Sequence, residues 1–167
     1  PLEFSRVKGV ICSVGGGGLY NGIVAGLERN QNLSKVPVLA VETKQAPTFT
    51  EAISANKVVN LTKVKTLATS LASPYISEKS LRNYKAHKTH VELLDDKDAL
   101  AGTIKFYDTF HLLIEPACGV AINVALDKQF LLEKAFGSLS KDDIVIVIVC
   151  GGSSTSLEAL NEYRKLI

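Results

Sequence analysis

Apolar positions along this chain alternate between two rhythms, and each change of rhythm marks a new element. VKGVICSV (7–14) is a β-rich run that ends in glycines, and GLYNGIVAGLERN (18–30) then sets Leu19, Ile23, Gly26 and Leu27 at i, i+4, i+7 and i+8, one face of a helix. The unit recurs with VPVLAVE (36–42) as a second strand and EAISAN (51–56) as a short helix after a Pro-containing turn. Residues 57–74 carry no period and read as a long loop, after which SEKSLRNYKAH (77–87) is helical with Ser77 as N-cap and HVELLD (90–95) is a strand. DKDALAGTIKFYDTFH (96–111) is an amphipathic helix with Leu100, Ile104, Tyr107 and His111 along one side, opened by the capping pair Asp95 and Asp96. LLIEPACG (112–119) reads as a short strand breaking into a turn, and a further helix is expected from about residue 119 to residue 136. DIVIVIV (143–149) is apolar on both faces, the pattern of a central parallel strand between helix layers. Residues 150–154 then turn the chain into a last helix with Ser153 or Ser154 as N-cap and Glu158 in its early turns. Strand and helix alternate throughout, so the fold class is α/β: one domain over 1–167, an open, mostly parallel twisted sheet with helices on both faces.

Composition narrows the partners. At 167 residues and 46% hydrophobic, the chain is one domain able to bury about two thirds of its unfolded surface. Nineteen Lys and Arg against seventeen Asp and Glu leave a net charge of +2 with no basic block, so neither nucleic acid nor an anionic membrane is indicated and a small-molecule partner is expected. The longest apolar run, IVIVIVC (144–150), is too short to cross a bilayer, and no signal pattern opens the chain. Cys12, Cys118 and Cys150 are odd in number and far apart, which points away from a disulfide framework or a zinc or redox pair and towards a reducing compartment, cytoplasmic, with the mitochondrion as alternative. His87, His90 and His111 lack metal spacing and read as helix-surface or strand-end residues. No G-x-S-x-G elbow surrounds Ser13, Ser153 or Ser154. The sequence opens at Pro1 and contains no methionine, so a fragment of a longer product is expected.

The densest signal is SVGGGGLYNG (13–22), since each glycine inside regular structure costs roughly 0.5–1 kcal/mol relative to alanine. In an open parallel sheet, ligands sit at the carboxyl ends of strands where loops enter helices, which is where Gly15, Gly16, Gly17 and Gly18 fall. A helix N-terminus presents unpaired N–H groups and about half a positive charge, and bare backbone lets those donors reach a phosphate. The dipole supplies ~0.3–2 kcal/mol, so charge-assisted N–H bonds carry most of the affinity. The dinucleotide pattern G-x-G-x-x-G fails in both frames, at Tyr20 and at Asn21, and no G-K-[ST] follows. Glu42, ending the second strand, keeps an NAD-type reading open as a ribose-binding acid. A tight turn alone is the structural alternative.

SVGGGGLYNGI, IEPACGVA and VIVCGGSSTS, in this order and spacing, resemble the pyridoxal-phosphate-dependent L-serine/L-threonine dehydratases of the tryptophan-synthase-β fold type, most closely the serine dehydratase branch. The likeness spans nearly the whole chain and rests on the combination of the three motifs. It implies the large domain of a fold-type II enzyme, with Gly15, Gly16, Gly17 and Gly18 holding the phosphate of pyridoxal 5'-phosphate and Cys150 facing the pyridine nitrogen. A neutral thiol there leaves the ring a weaker electron sink than a carboxylate would, which favours β-elimination. The resemblance also implies a monovalent-cation site for K⁺ or a similar ion, with Glu42 as the acid and carbonyls of Gly16, Ala46, Leu71 and Ser73. Ser73 stands where an apolar residue is usual, although a carbonyl ligand does not depend on its side chain. Glu115 is expected to organise the turn around Pro116, and Cys118 to serve packing.

The implied reaction is ammonia loss from an amino-acid substrate, serine giving pyruvate and threonine giving 2-oxobutanoate, within amino-acid catabolism and gluconeogenesis, by a homodimeric full-length enzyme. It needs a Schiff-base lysine. In the family that lysine lies upstream in a serine-x-lysine context, followed by a serine-serine-glycine-asparagine loop for the substrate carboxylate. None of the fifteen lysines here suits the role. No catalytic residue is therefore assigned, and the chain is expected to be a large-domain piece, inactive alone, whose N-terminal part carries the small domain and the lysine. A truncated non-catalytic relative, a regulatory anion-binding α/β domain and an NAD-type domain are the alternatives.

Overall fold

The computed structural model of the chain describes residues 3–167. One turn of 3-10 helix (Phe4–Arg6) leads into β1 (Val7–Ser13), followed by α1 (Gly18–Arg29), β2 (Val38–Thr43), α2 (Thr48–Ser54), α3 (Glu78–Ala86) and β3 (Thr89–Leu94). The second half runs through α4 (Asp96–Phe110), α5 (Pro116–Asp127), α6 (Phe130–Phe136), β4 (Ile144–Val147) and α7 (Leu157–Arg164). The strands form one parallel sheet in the order β3-β2-β1-β4, with Val10 opposite Val38 and Ile146.

Alternation along the strands divides the core into two layers. Val10, Cys12, Val38 and Ala40 face one side, where Tyr20, Val24 and Leu27 of α1 and Phe49 of α2 cover them. Ile11, Leu39 and Val41 face the other, under Ala99 of α4 and Val120, Ala121 and Val124 of α5. Helices on both faces of a parallel sheet are the architecture expected from the alternating pattern. Ser77 caps α3 by accepting from the Ser80 amide, and Asp95 and Asp98 form a capping box at α4. Residues 57–74 are irregular apart from one 3-10 turn, Thr69–Leu71. Asp96, only 6% exposed, fastens this loop by accepting from Thr66 Oγ1 at 2.5 Å and the Leu67 amide at 2.6 Å.

Several expectations are corrected. Residues 112–115 form no strand: Glu115 N–H donates to Gly151 O at 3.0 Å, but Pro116 has no N–H to extend a ladder and opens α5 at its first turn. The single helix expected over 119–136 is two, because the Lys128 amide reaches back to Asn123 O at 3.2 Å and Val124 O at 3.3 Å and so widens the last turn until α5 stops. DIVIVIV is an edge strand of the described sheet. Its two apolar faces still have a cause, since Ile144, Ile146 and Ile148 pack on one layer and Val145 and Val147 on the other. The α7 cap is Ser156, which accepts from the Ala159 amide at 3.1 Å, rather than Ser153 or Ser154. On α1 the buried stripe is Tyr20, Val24 and Leu27, while Leu19 is 40% exposed; Tyr20 is held inward by its hydroxyl contact with Thr89 Oγ1 at 2.7 Å. His111 has left α4 with φ 56° and is exposed, and His87 is buried with its Nε2 2.9 Å from Val36 O, so neither continues a surface helix as read.

The strand order also locates the ligand end of the sheet. From β1 the chain moves outward to β2 and β3, then returns to the opposite side of β1 for β4. The crevice between the carboxyl ends of β1 and β4 is thus the topological switch point, where open α/β sheets bind ligands.

Candidate functional site: a glycine cradle with a thiol floor

At the end of β1, the Val14 amide makes the last strand-type bond, to Val41 O at 2.9 Å, and the chain then turns through the four glycines into α1. Gly15 lies against the backbone of Leu71, which a Cβ would meet at 3.1 Å. Gly17 adopts φ +90°, and a Cβ there would also collide with Ser80 Oγ, so only glycine fits. Gly18 has nothing within 4 Å of the place a Cβ would take. Packing gives no reason for glycine at that position; open space for a ligand does. The amides of residues 15–20 donate to no group among the described residues, and α1 has neither a side-chain cap nor an acid in its first turn. Uncapped donors at the mouth of a helix of this length are an anion site in waiting.

These amides open on a cleft of about 310 Å³ at the β1–β4 switch point, whose lining includes Gly15, Gly16, Gly17, Gly18, Glu115 and Cys150. The first half of the sequence-derived site, glycines and Cys150, is therefore brought together. The Cys150 thiol is pulled down from 9.0 to about 6, first by the neighbouring Cys118 side chain and to a smaller extent by the Ser13 hydroxyl; burial opposes the shift. In this open cleft Cys150 thus leans towards thiolate, whereas the resemblance implies a neutral thiol. Cys118, buried on the first turn of α5 with its Sγ donating to Ile148 O at 3.7 Å, is pushed well above the ordinary thiol range by the neighbouring Cys150 side chain and by burial. Its role is accordingly more than packing: the Cys150 amide donates to Cys118 Sγ at 3.3 Å. Cysteines far apart in sequence meet because the loop after β4 crosses the N-terminus of α5.

Glu115 ties the far wall together. It accepts from the Ser70 hydroxyl and, at 3.4 Å, from the Ser154 amide, and these donors hold its carboxyl below the usual range. Sequence reasoning gave it only the turn at Pro116. The signal for a wider role was the excess of Ser and Thr at 66–73 and 153–156, hydroxyl and amide donors awaiting an acceptor.

The residues proposed for a cation are arranged differently. Glu42 is fully buried, and its carboxylate accepts from the Phe49 amide at 2.6 Å, the Thr50 amide at 2.9 Å and Thr50 Oγ1 at 2.8 Å, serving as the cap that Pro47 cannot supply to α2. Burial pushes its carboxyl up to about 7 against the pull of those donors. Neither a surface charge nor a ribose acceptor describes it, because no ligand in the cleft reaches a carboxylate turned into α2. Gly16, Leu71 and Ser73 do cluster: a Cβ on Gly16 would meet Ser73 Oγ at 3.3 Å. Their carbonyls already accept from the Ser77 amide at 3.1 Å, the Ser73 amide at 2.7 Å and Thr48 Oγ1 at 2.6 Å respectively, and Ala46 is buried beside the α2 entrance. Among the described residues no group of three or more His, Cys, Asp or Glu side chains is placed to hold a metal ion, and no helix is long and apolar enough to cross a membrane.

None of the fifteen lysines is buried and none lines the cleft. Ser77-Glu78-Lys79 has the serine-x-lysine form, but Ser77 caps α3 and Lys79 is exposed.

Comparison with known proteins agrees with this geometry. A family profile described as "Pyridoxal-phosphate dependent enzyme" matches residues 2–151. The catabolic L-serine/threonine dehydratase of Saccharomyces cerevisiae is 40% identical over 98% of this chain and 47% of that protein. SDL1 of the same yeast, which bears the name of a truncated L-serine dehydratase, is 38% identical over 95% of this chain and 76% of its own length. The crystal structure of a fungal L-serine ammonia-lyase from Rhizomucor miehei superposes with a TM-score of 0.88 at 37% identity, covering 96% of this chain and 50% of that one. The chain spans about half the length of the full dehydratases it matches.

Proposed function

We propose, because the chain belongs to the pyridoxal-phosphate-dependent enzyme family, that its cleft holds pyridoxal 5'-phosphate and that the whole protein is an L-serine/L-threonine dehydratase acting on a small amino-acid substrate. The observation that carries the reading is the row of unpartnered amides at residues 15–20 opening on a cleft with Cys150 in its wall. When bound, the cofactor supplies the electron sink that amino-acid elimination needs. The chain's own groups would grip and orient it: the amides and the α1 dipole neutralise the phosphate, and the Cβ-free space at Gly18 admits it. Cys150 would face the ring nitrogen, with Ser13 beside it in the cleft lining. The preference for elimination over transamination rests on the family resemblance.

In this reading the chain is the large domain, and the lysine and the substrate-carboxylate loop belong to a part of the protein outside these residues. A monovalent cation held by Glu42 and the carbonyls of Gly16, Ala46, Leu71 and Ser73 rests on the family resemblance, and would have to use lone pairs beyond those already bonded. Homodimerisation rests on the same resemblance, and a cytoplasmic setting on the three unpaired cysteines.

Calorimetric titration of the chain with pyridoxal 5'-phosphate, pyridoxal and NAD tests the assignment. Two or more charge-assisted bonds of about 1.5 kcal/mol each predict that the phosphate ester binds on the order of a hundredfold tighter than pyridoxal. Gly18→Ala should remove most of that advantage while melting no lower than the parent. Equal binding of pyridoxal and its phosphate, or tighter binding of NAD, would overturn the cradle reading.

A further inference from the structure

We propose that Cys150 and Cys118 are a two-cysteine oxidation site in the wall of the cleft, in which a hydroperoxide oxidises Cys150 and Cys118 resolves the product as an intramolecular disulfide. The proposal concerns the cleft with no cofactor in it, since a ring facing Cys150 would cover that thiol, and it stands whether or not the cofactor assignment does. Its basis is the division of labour between the two thiols. Cys150 is exposed on the loop after β4 and lines the cleft, so a small oxidant reaches it from solvent, whereas Cys118 is buried on the first turn of α5. The two cysteines are neighbours: the Cys150 amide donates to Cys118 Sγ at 3.3 Å, and Cys118 Sγ in turn donates to Ile148 O at 3.7 Å, on the same segment two residues before Cys150. With an N–Cα bond of about 1.46 Å, Cys118 Sγ lies within about 5 Å of the Cys150 Cα, so a modest shift of the loop would be enough to bring the two sulfurs together. Gly151, at φ +148°, follows directly and gives the loop latitude to close the remaining gap.

The chemistry needs one accessible thiolate and one nearby thiol. The neighbouring Cys118 and Ser13 side chains favour the Cys150 thiolate, while Glu115 and Cys12 are the acidic groups around it that oppose this. In the first step the Cys150 thiolate attacks one peroxide oxygen, the O–O bond breaks, and Cys150 becomes a sulfenic acid as hydroxide leaves. In the second, Cys118 sulfur attacks the Cys150 sulfur, the S–O bond breaks, and the sulfenic oxygen departs with the Cys118 proton as water. Two thiols have lost two electrons to the peroxide, and a dithiol reductant reverses the result. Cys12, fully buried in β1, has no such access.

The test is mass spectrometry of the chain after mild hydrogen peroxide treatment, without reduction. Trypsin places Cys12, Cys118 and Cys150 on separate peptides, 9–29, 106–128 and 142–164. The expected product is the 106–128 peptide linked to 142–164, with thiols titrated in denaturant falling from three to one and returning on reduction. In Cys118→Ser, Cys150 should instead accumulate as a dimedone-trapped sulfenic acid; in Cys150→Ser, Cys118 should stay a thiol. Three thiols surviving in the wild-type chain, or a link through Cys12, would overturn the proposal without any variant having to fold.

Discussion

The four glycines are one motif in sequence and three different positions in space. Gly15 lies against Leu71, Gly17 is a left-handed turn wedged beside Ser80, and Gly18 is free of protein contact, so substitution at each reads out a different cause. Cys150 shows the same principle in its titration. Its thiol is pulled from 9.0 to about 6 because the neighbouring Cys118 and Ser13 side chains favour the charged form. The sign follows from that depression: the thiolate dominates above the folded value, and whatever stability it lends is complete above the unfolded value and lost as pH falls through about 6. Iodoacetamide labelling of Cys150 should therefore rise with pH to half its plateau near 6, while Cys12, pushed up to about 12 by burial, stays unlabelled across the neutral range. Replacing Cys118 with Ala removes the leading cause of the depression and should move the midpoint towards 9.0, as followed by peptide-resolved labelling rates. An unchanged midpoint would mean that Cys118 does not control the Cys150 proton.

Placement of the α5 N-terminus, which carries Glu115 and Cys118 to the cleft, depends on how α5 crosses α4. A Cβ on Gly119 would run into Ala99 O and Thr103, and one on Gly102 into Gly119 O, so the two helices meet backbone to backbone. Gly119→Ala should cost about 3 kcal/mol through forced separation of the pair, a fall of roughly 10 °C in the melting temperature of a domain this size. Gly26→Ala, with open space around it on α1, should be neutral or slightly stabilising in the same thermal scan. This crossing also explains what was legible in the sequence. Periodicity and strand composition sufficed for β1, β2, α3 and α4, and the glycine turn from β1 into α1 was legible because glycines announce bare backbone. They failed where tertiary partners decide. The 112–115 segment has a strand's composition but no ladder to join, Ser156 outcompetes Ser153 and Ser154 as cap only once the loop has crossed α5, and a run of Ile and Val cannot say whether it is central or at an edge. Glu42 sat at a strand end in both readings, and only the position of α2 shows its carboxylate turned inward.

At the scale of the molecule, sheet order, glycine turn and thiol pair converge on one crevice, yet among the described residues no lysine lines it. All fifteen lysines are solvent-facing or partly so, and none stands in the cleft wall, where a desolvated amine would be needed to attack a carbonyl carbon. A phosphate grip without a lysine should bind pyridoxal 5'-phosphate reversibly. Borohydride treatment of the chain with a stoichiometric amount of the cofactor, followed by dialysis and peptide mapping, is expected to leave adduct spread thinly over surface lysines with no dominant site. The same experiment on a longer protein that contains these residues together with an upstream lysine segment should concentrate the label on one lysine there. A single dominant lysine in the present chain would mean that the domain completes its own site, and the division of grip and chemistry between two parts of the protein would have to be given up.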